Sequence, residues 1–116
     1  MNQAIEFIGK IIEIKIDRPI RSKHPKYSKM VYPINYGYVP NTTAPDGEEI
    51  DAYLLGVSEP VKKFKGKCIA VIHRTNDNDD KLIVVPENAD YTDKEILTLT
   101  KFQEQYFKSK VIRKKP

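Results

Sequence analysis

Within residues 5–16, IEFIGKIIEIKI, the second half alternates strictly: Ile12, Ile14 and Ile16 share one face, while Glu13, Lys15 and Asp17 share the other. A period of two is that of a half-buried strand. Pro19 ends the run, because proline has no N–H to donate to a ladder. Further β-type runs follow at short intervals. Residues 51–57 place Asp51, Tyr53, Leu55 and Val57 on one side, residues 67–73 are largely apolar, and residues 81–85 return as far as Pro86. Turn chemistry divides them: Pro45-Asp46-Gly47, the lysine-bearing residues 60–66, and the sequence TNDNDD at 75–80.

Only after Pro86 does the pattern change. Thr92-Asp93-Lys94-Glu95 fits a capping box, with Thr92 as N-cap and Glu95 reaching back to the N-cap N–H. The helix that follows is expected to bury Ile96, Leu99, Phe102 and Tyr106 and to expose Lys101, Glu104 and Lys108. Val111-Ile112 adds a short extended end. Four or five closely connected strands followed by one C-terminal helix predict a mainly β chain (α+β) built as a small, mostly antiparallel, five-stranded Greek-key barrel. At 116 residues there is room for a single domain spanning 1–116.

The composition, 40% apolar and 31% charged, is that of a soluble globular protein, with no long uncharged apolar run. The N-terminal segment is mixed and polar, so the expectation is a cytoplasmic protein with no membrane partner. Cys68 is the one cysteine; within the apolar run Cys-Ile-Ala-Val-Ile it reads as a buried core residue. The net charge of +4 fits anionic partners, yet much of the excess lies in residues 108–116, which read as a solvated tail. His24, beside Pro25 in a basic connection, reads as a surface residue.

Residues 31–51, VYPINYGYVPNTTAPDGEEID, carry the chemistry. Tyr32, Tyr36 and Tyr38 offer phenol donors, and the run ends in the acids Asp46, Glu48 and Asp51 on a loop and at the mouth of a strand. Asp77, Asp79 and Asp80 crowd the later turn. Two carboxylates about 4 Å apart repel by roughly 4 kcal/mol at intermediate dielectric, a cost that a bound cation removes. Hard oxygen donors of this kind suit Mg²⁺, with Mn²⁺ also accepting them.

The run Tyr32-Pro-Ile-Asn-Tyr36-Gly37 followed by Asp46-Gly-Glu48-Glu-Ile-Asp51 resembles the signature of the soluble family I inorganic pyrophosphatases, in which a Tyr-Pro-x-Asn-Tyr-Gly precedes an Asp-x-Asp-x-x-Asp. The likeness extends through Lys81-Leu-Ile-Val-Val-Pro to Phe102-Gln-Glu-Gln-Tyr106. It implies an OB-like barrel and Mg²⁺-dependent hydrolysis of pyrophosphate to two phosphates, in a homo-oligomer with no nucleic acid bound. Residue by residue it implies metal ligands at Asp17, Asp46, Asp51, Asp77 and Asp80, with Asp79 close behind. It implies catalytic roles for Asp46, Glu48 and Asp51, and substrate contacts from Lys23, Tyr36, Lys81 and Tyr106. Glu48 stands where the family has the acid that activates water, and Phe107 where it has a lysine. The hairpin that brings a phosphate-binding arginine in the family has no counterpart between Tyr27 and Tyr32, where Arg21, Lys26 and Lys29 are the nearby cations.

Two other readings compete. One is a metal-dependent phosphohydrolase acting on another phosphoanhydride, such as a nucleotide. The other is a noncatalytic OB-like module that binds single-stranded nucleic acid through aromatic stacking and a basic groove. The acids at the centre of the aromatic run weigh against the latter.

Overall fold

The computed structural model describes residues 3–76 and 79–113. A short 3-10 helix, Gln3–Phe7, precedes β1 (Ile11–Arg18), β2 (Asn35–Tyr38), β3 (Asp51–Leu54), β4 (Lys63–Arg74), β5 (Asp80–Val85), α1 (Asp93–Glu104) and β6 (Ser109–Ile112). The strands run β1-β2-β3-β5-β4, and β1 pairs with β4 to close a five-stranded barrel. Every pairing in the ring is antiparallel except β3 with β5. The 12-residue β4 is long enough for two tasks: residues 63–67 pair with β1, while residues 71–74 accept β6 along the outside. The expected barrel is therefore present, with one helix and one additional strand.

Strand alternation sorts the apolar side chains into two clusters. Ile14, Ile16, Ala52, Leu54, Val71, Leu82 and Val84 fill the barrel, and the 3-10 helix adds Ala4 at one end. Tyr53, Leu55, Ala70, Ile72, Ile83 and Val85 point outward against Ile96 of α1. This is why β5 is buried along its whole length. Each fully buried aliphatic side chain contributes about 1.5–3 kcal/mol, so the outer cluster fixes the helix on the wall formed by β3, β5 and β4. Cys68 belongs to the inner cluster, and burial pushes its thiol up to about 11, which leaves it inert as a nucleophile.

Several boundaries differ from the sequence reading. Residues 3–7 form helical turns rather than the start of the first strand, and β3 ends at Leu54. Lys63 and Lys65 lie on β4, not in a turn. The capping box on Thr92 and Glu95 is present as expected. The buried stripe of α1 is instead Ile96, Thr100 and Glu104, spaced four apart. Leu99 is 36% exposed and Tyr106, beyond the helix end, is 73% exposed. Glu104 is inside because the barrel supplies hydrogen-bond partners that a sequence pattern does not display: Arg74, Tyr53 and Ser109.

Candidate active site

An open cleft of about 1050 Å³ lies on the outer face of the sheet, between the β2–β3 wall and the C-terminal end of α1. Asp51 and Lys81 stand at its floor as register partners across the parallel β3–β5 pair. Lys81 Nζ lies 2.6 Å from Asp51 Oδ2 and 2.9 Å from Asp79 Oδ2. Although lysine is rarely buried, this one is only 4% exposed. The two carboxylates offset the cost of removing its charge from water.

Phenols line the wall beside this cluster. Tyr36 faces Tyr53 across β2 and β3, with ring centroids 5.0 Å apart, and Tyr32 stacks on Tyr36 at 5.7 Å. Burial pushes the Tyr36 hydroxyl well above its usual range, and the charge of Asp51 and a hydrogen bond to it push further the same way. Tyr36 therefore remains a neutral donor at any physiological pH.

Behind the phenols, Arg74 makes a two-point contact with Glu104, Nε to Oε1 at 3.0 Å and Nη2 to Oε2 at 2.8 Å. Its Nη1 reaches Asp79 Oδ2 at 3.5 Å, and its guanidinium lies 3.7 Å from the Phe107 ring centroid. Tyr53 and Ser109 also donate to Glu104, each at 2.6 Å. Burial alone would raise the Glu104 carboxyl, but these hydrogen bonds and the Arg74 charge outweigh it and hold the group below its ordinary value. This buried network ties the end of α1 to the cleft floor.

A β-bulge shapes the opposite wall. Lys15 pairs with Tyr38 and Ile16 with Gly37, but Arg18 rather than Asp17 pairs with Tyr36. The extra residue turns both Asp17 and Arg18 toward the cleft. Gly37 makes the close approach possible, since a Cβ there would sit 1.7 Å from the Lys15 carbonyl oxygen. Burial raises the Asp17 carboxyl; Arg18 counters this, while the charges of Asp51 and Glu49 add to it. The charges of Asp51 and Glu49 thus reach Asp17 through space.

The structure sorts the expected site residues. Asp17, Tyr36, Asp51, Lys81 and Tyr106 line the cleft, as do His24 and Lys29. His24 is not the free surface group expected: its Nδ1 accepts from the Lys26 and Tyr27 N–H groups, and its ring stacks on Tyr32. Lys23 is exposed on the connecting loop, bridged through its backbone to Val31, and does not line the cleft. Asp46 and Glu48 are exposed on the β2–β3 loop, where Asp46 Oδ1 accepts from the Glu48 N–H in a turn that Gly47 closes at φ +88°. Asp77 lies outside the described residues.

Asp80 requires a correction. As the residue before Lys81 on β5 it faces away from the cleft, where its Oδ1 lies 2.6 Å from His73 Nδ1 and its Oδ2 is buried without a partner beside a second cavity of about 230 Å³. Burial raises its carboxyl despite the His73 contact. Asp79, ranked behind it on sequence, is the acid that meets Lys81. Sequence reasoning also passed over Arg74 and Arg18 as cleft residues, and the parity that separates Asp79 from Asp80 is set only by the partners of β5.

Among the described residues, no three His, Cys, Asp or Glu side chains converge closely enough to enclose a metal ion. The donors nonetheless fit a hydrated divalent cation, which keeps several waters and takes only one or two protein carboxylates. They are hard oxygens, and burial together with the charges of Asp51 and Glu49 raises the Asp17 carboxyl, a rise that a bound cation would reverse.

Comparison with known proteins gives a consistent result. Residues 9–112 match the family model described as inorganic pyrophosphatase. The chain is 34% identical over 112 residues to "Soluble inorganic pyrophosphatase 2" of Chlamydomonas reinhardtii, covering 79% of this chain and 58% of that protein. Over 79 residues it is 35% identical to "Inorganic pyrophosphatase" of Saccharolobus solfataricus, covering 65% of this chain and 42% of that one. The chain thus spans about half the length of these curated relatives. Among solved structures, inorganic pyrophosphatase from Ehrlichia chaffeensis superposes with a TM-score of 0.70 at 20% identity, covering 91% of this chain and 87% of that one. No helix of the described residues is long and apolar enough to cross a membrane.

Proposed function

The chain belongs to the inorganic pyrophosphatase family, and on that premise we propose that it hydrolyses inorganic pyrophosphate to two phosphates, with water as nucleophile and Mg²⁺ as cofactor. Mn²⁺ serves the same oxygen donors. The observation that carries the proposal is the pairing of Asp51 with Lys81 on the floor of an open cleft walled by neutral phenols, with Asp79 holding the same lysine.

Asp17 and Asp51, the two carboxylates that line the cleft, are the residues that would hold the hydrated cation. When bound, it supplies charge neutralisation at the phosphoryl oxygens and lowers the pKa of a coordinated water. Lys81 is the cation already in place to receive a phosphoryl oxygen, and its rigid strand position means little reorganisation accompanies binding. Tyr36 donates from the wall without ionising. Arg74, locked by Glu104, orients Asp79 and closes the cleft floor. Asp46 and Glu48 stand exposed on the β2–β3 loop, and Glu48 acts as general base with that loop turned inward. Cytoplasmic location and homo-oligomer formation belong to the same reading; exposed Ile11, Val31 and Leu97 are the apolar side chains available for an interface.

One observation favours a wider substrate class. Tyr27, 65% exposed, and Tyr106 stand on the cleft rim, and pyrophosphate has no apolar part to use them. A nucleoside polyphosphate does. Phosphate release from pyrophosphate and from ATP, each with and without Mg²⁺, tests both readings. Metal-dependent release from pyrophosphate supports the first, release from ATP alone the second, and release from neither overturns both.

A further inference from the structure

We propose that Arg18 is the guanidinium that anchors a phosphoryl group of the substrate; this rests on the reading of the cleft as a phosphoanhydride site. Had β1 continued from the pairing of Ile16 with Gly37 without interruption, Asp17 would face Tyr36, and Arg18 would oppose Asn35. Asn35 is fully buried and already engaged by Ile20, Val57 and Glu59. An arginine pointing there would meet a filled, hydrogen-bonded interior. The bulge inserts one residue, so Arg18 takes the place opposite Tyr36 and, as directly opposed residues do, shares its face. Two successive side chains, Asp17 and Arg18, consequently reach the same cleft, although strand neighbours ordinarily point to opposite sides.

The cations of the cleft are not equally available. Lys81 is held by Asp51 and Asp79, and Arg74 by Glu104 and Asp79, at hydrogen-bond distances or close to them. Arg18 has a looser arrangement. Its Nη1 donates to the Asp17 main-chain oxygen at 3.3 Å, an exposed contact, and stands 3.6 Å from the Asp17 carboxylate, with the two side chains 35% and 49% exposed. The separation from the carboxylate is beyond hydrogen-bond length, and exposed pairs of this kind are weak. Arg18 lines the cleft together with Tyr32, whose phenol it also hydrogen-bonds, beside the phenol wall. A multiply charged anion entering between Arg18 and the floor would meet a fork whose geometry matches phosphate oxygens, on a barrel strand rather than a loop. Lys29 also lines the cleft but is exposed on the long β1–β2 connection, and lacks the fork.

The test compares wild type with Arg18→Gln, Arg18→Lys and a charge control, Lys65→Gln, on the exposed part of β4 away from the cleft. Two readouts are taken in Mg²⁺: calorimetric binding of imidodiphosphate, a non-hydrolysable analogue, and the separate kcat and KM for pyrophosphate. Arg18→Gln is expected to raise both Kd and KM by about tenfold or more with a smaller change in kcat, as loss of one charge-assisted contact does. Arg18→Lys should recover part of the binding, and Lys65→Gln should match wild type. Should Arg18→Gln fail to fold, an Arg18→Lys protein that binds as wild type overturns the need for the fork. An active wild type whose Arg18→Gln form keeps its Kd and KM overturns this proposal alone. A wild type that neither binds nor hydrolyses overturns the reading of the site, and this assignment with it.

Discussion

Lys81 and Asp51 are neighbours across the parallel β3–β5 pair of the barrel, and the lysine Nζ lies 2.6 Å from the carboxylate. A second acid, Asp79, holds the same ammonium at 2.9 Å. Replacing Lys81 by Gln leaves two acids facing each other at the floor of the cleft. Breaking a buried ion pair from one side costs about 3–5 kcal/mol, so chemical denaturation should show a loss of that order. Turnover should fall by about a hundredfold if Lys81 also meets the substrate. A stable variant with unchanged kcat/KM would remove Lys81 from the reaction.

Asp79 and Asp80 are adjacent in sequence but serve different environments. Asp79→Asn is expected to lower turnover by about tenfold to a hundredfold, because it loses a charge beside Lys81 and Arg74. Asp80→Asn is expected to change stability instead, since its carboxylate is paired with His73 on the far side of β5. Steady-state kinetics and thermal melts on both variants separate the two; the reverse pattern would reinstate Asp80.

Glu104 links acid stability to the cleft. Its folded carboxyl lies below its ordinary value of 4.5, so its stabilising contribution is fully present above that pH and is lost as pH falls through the folded value. Glu104→Gln should therefore be less stable than wild type by about 3 kcal/mol near neutral pH. The difference should shrink as pH falls below about 4.5, where the carboxyl of the unfolded chain takes up its proton first, and be gone once the folded carboxyl is protonated at lower pH. Urea melts across pH 3–7 would measure it, and a gap that widens in acid would contradict the assignment.

Gly37 is the steric condition for the bulge. Gly37→Ala places a methyl against the Lys15 carbonyl, and the strands must part to admit it. A destabilisation of at least about 2–3 kcal/mol is expected, with loss of pyrophosphate binding as Asp17 and Arg18 move. A variant of wild-type stability would mean that the strands separate easily there.

What the sequence displayed was local. The alternation of Ile12, Ile14 and Ile16 and the capping box at Thr92 are short-range patterns, and both elements are where those patterns put them. Asp51 and Lys81 could be read because each begins a β-type run. The choice between Asp79 and Asp80 was not legible from composition, because a turn of Asp and Asn has no period and the parity of β5 is defined only by its partners. Glu104 looks like an exposed helical acid until Arg74, 30 residues away in sequence, is brought against it. The bulge at Asp17 is invisible in β1 alone. One extra residue becomes a feature only when counted against β2.

The central claim is that the acids around Lys81 make this cleft a metal-dependent pyrophosphate hydrolase, and Asp51 is the residue on which it turns. The most direct test is phosphate release from pyrophosphate, with and without Mg²⁺, by wild type and by Asp51→Asn purified identically. The account predicts metal-dependent release by wild type and loss of at least about a hundredfold in the variant, with its melting transition retained. Release that persists in Asp51→Asn, or that does not depend on the metal, would contradict it.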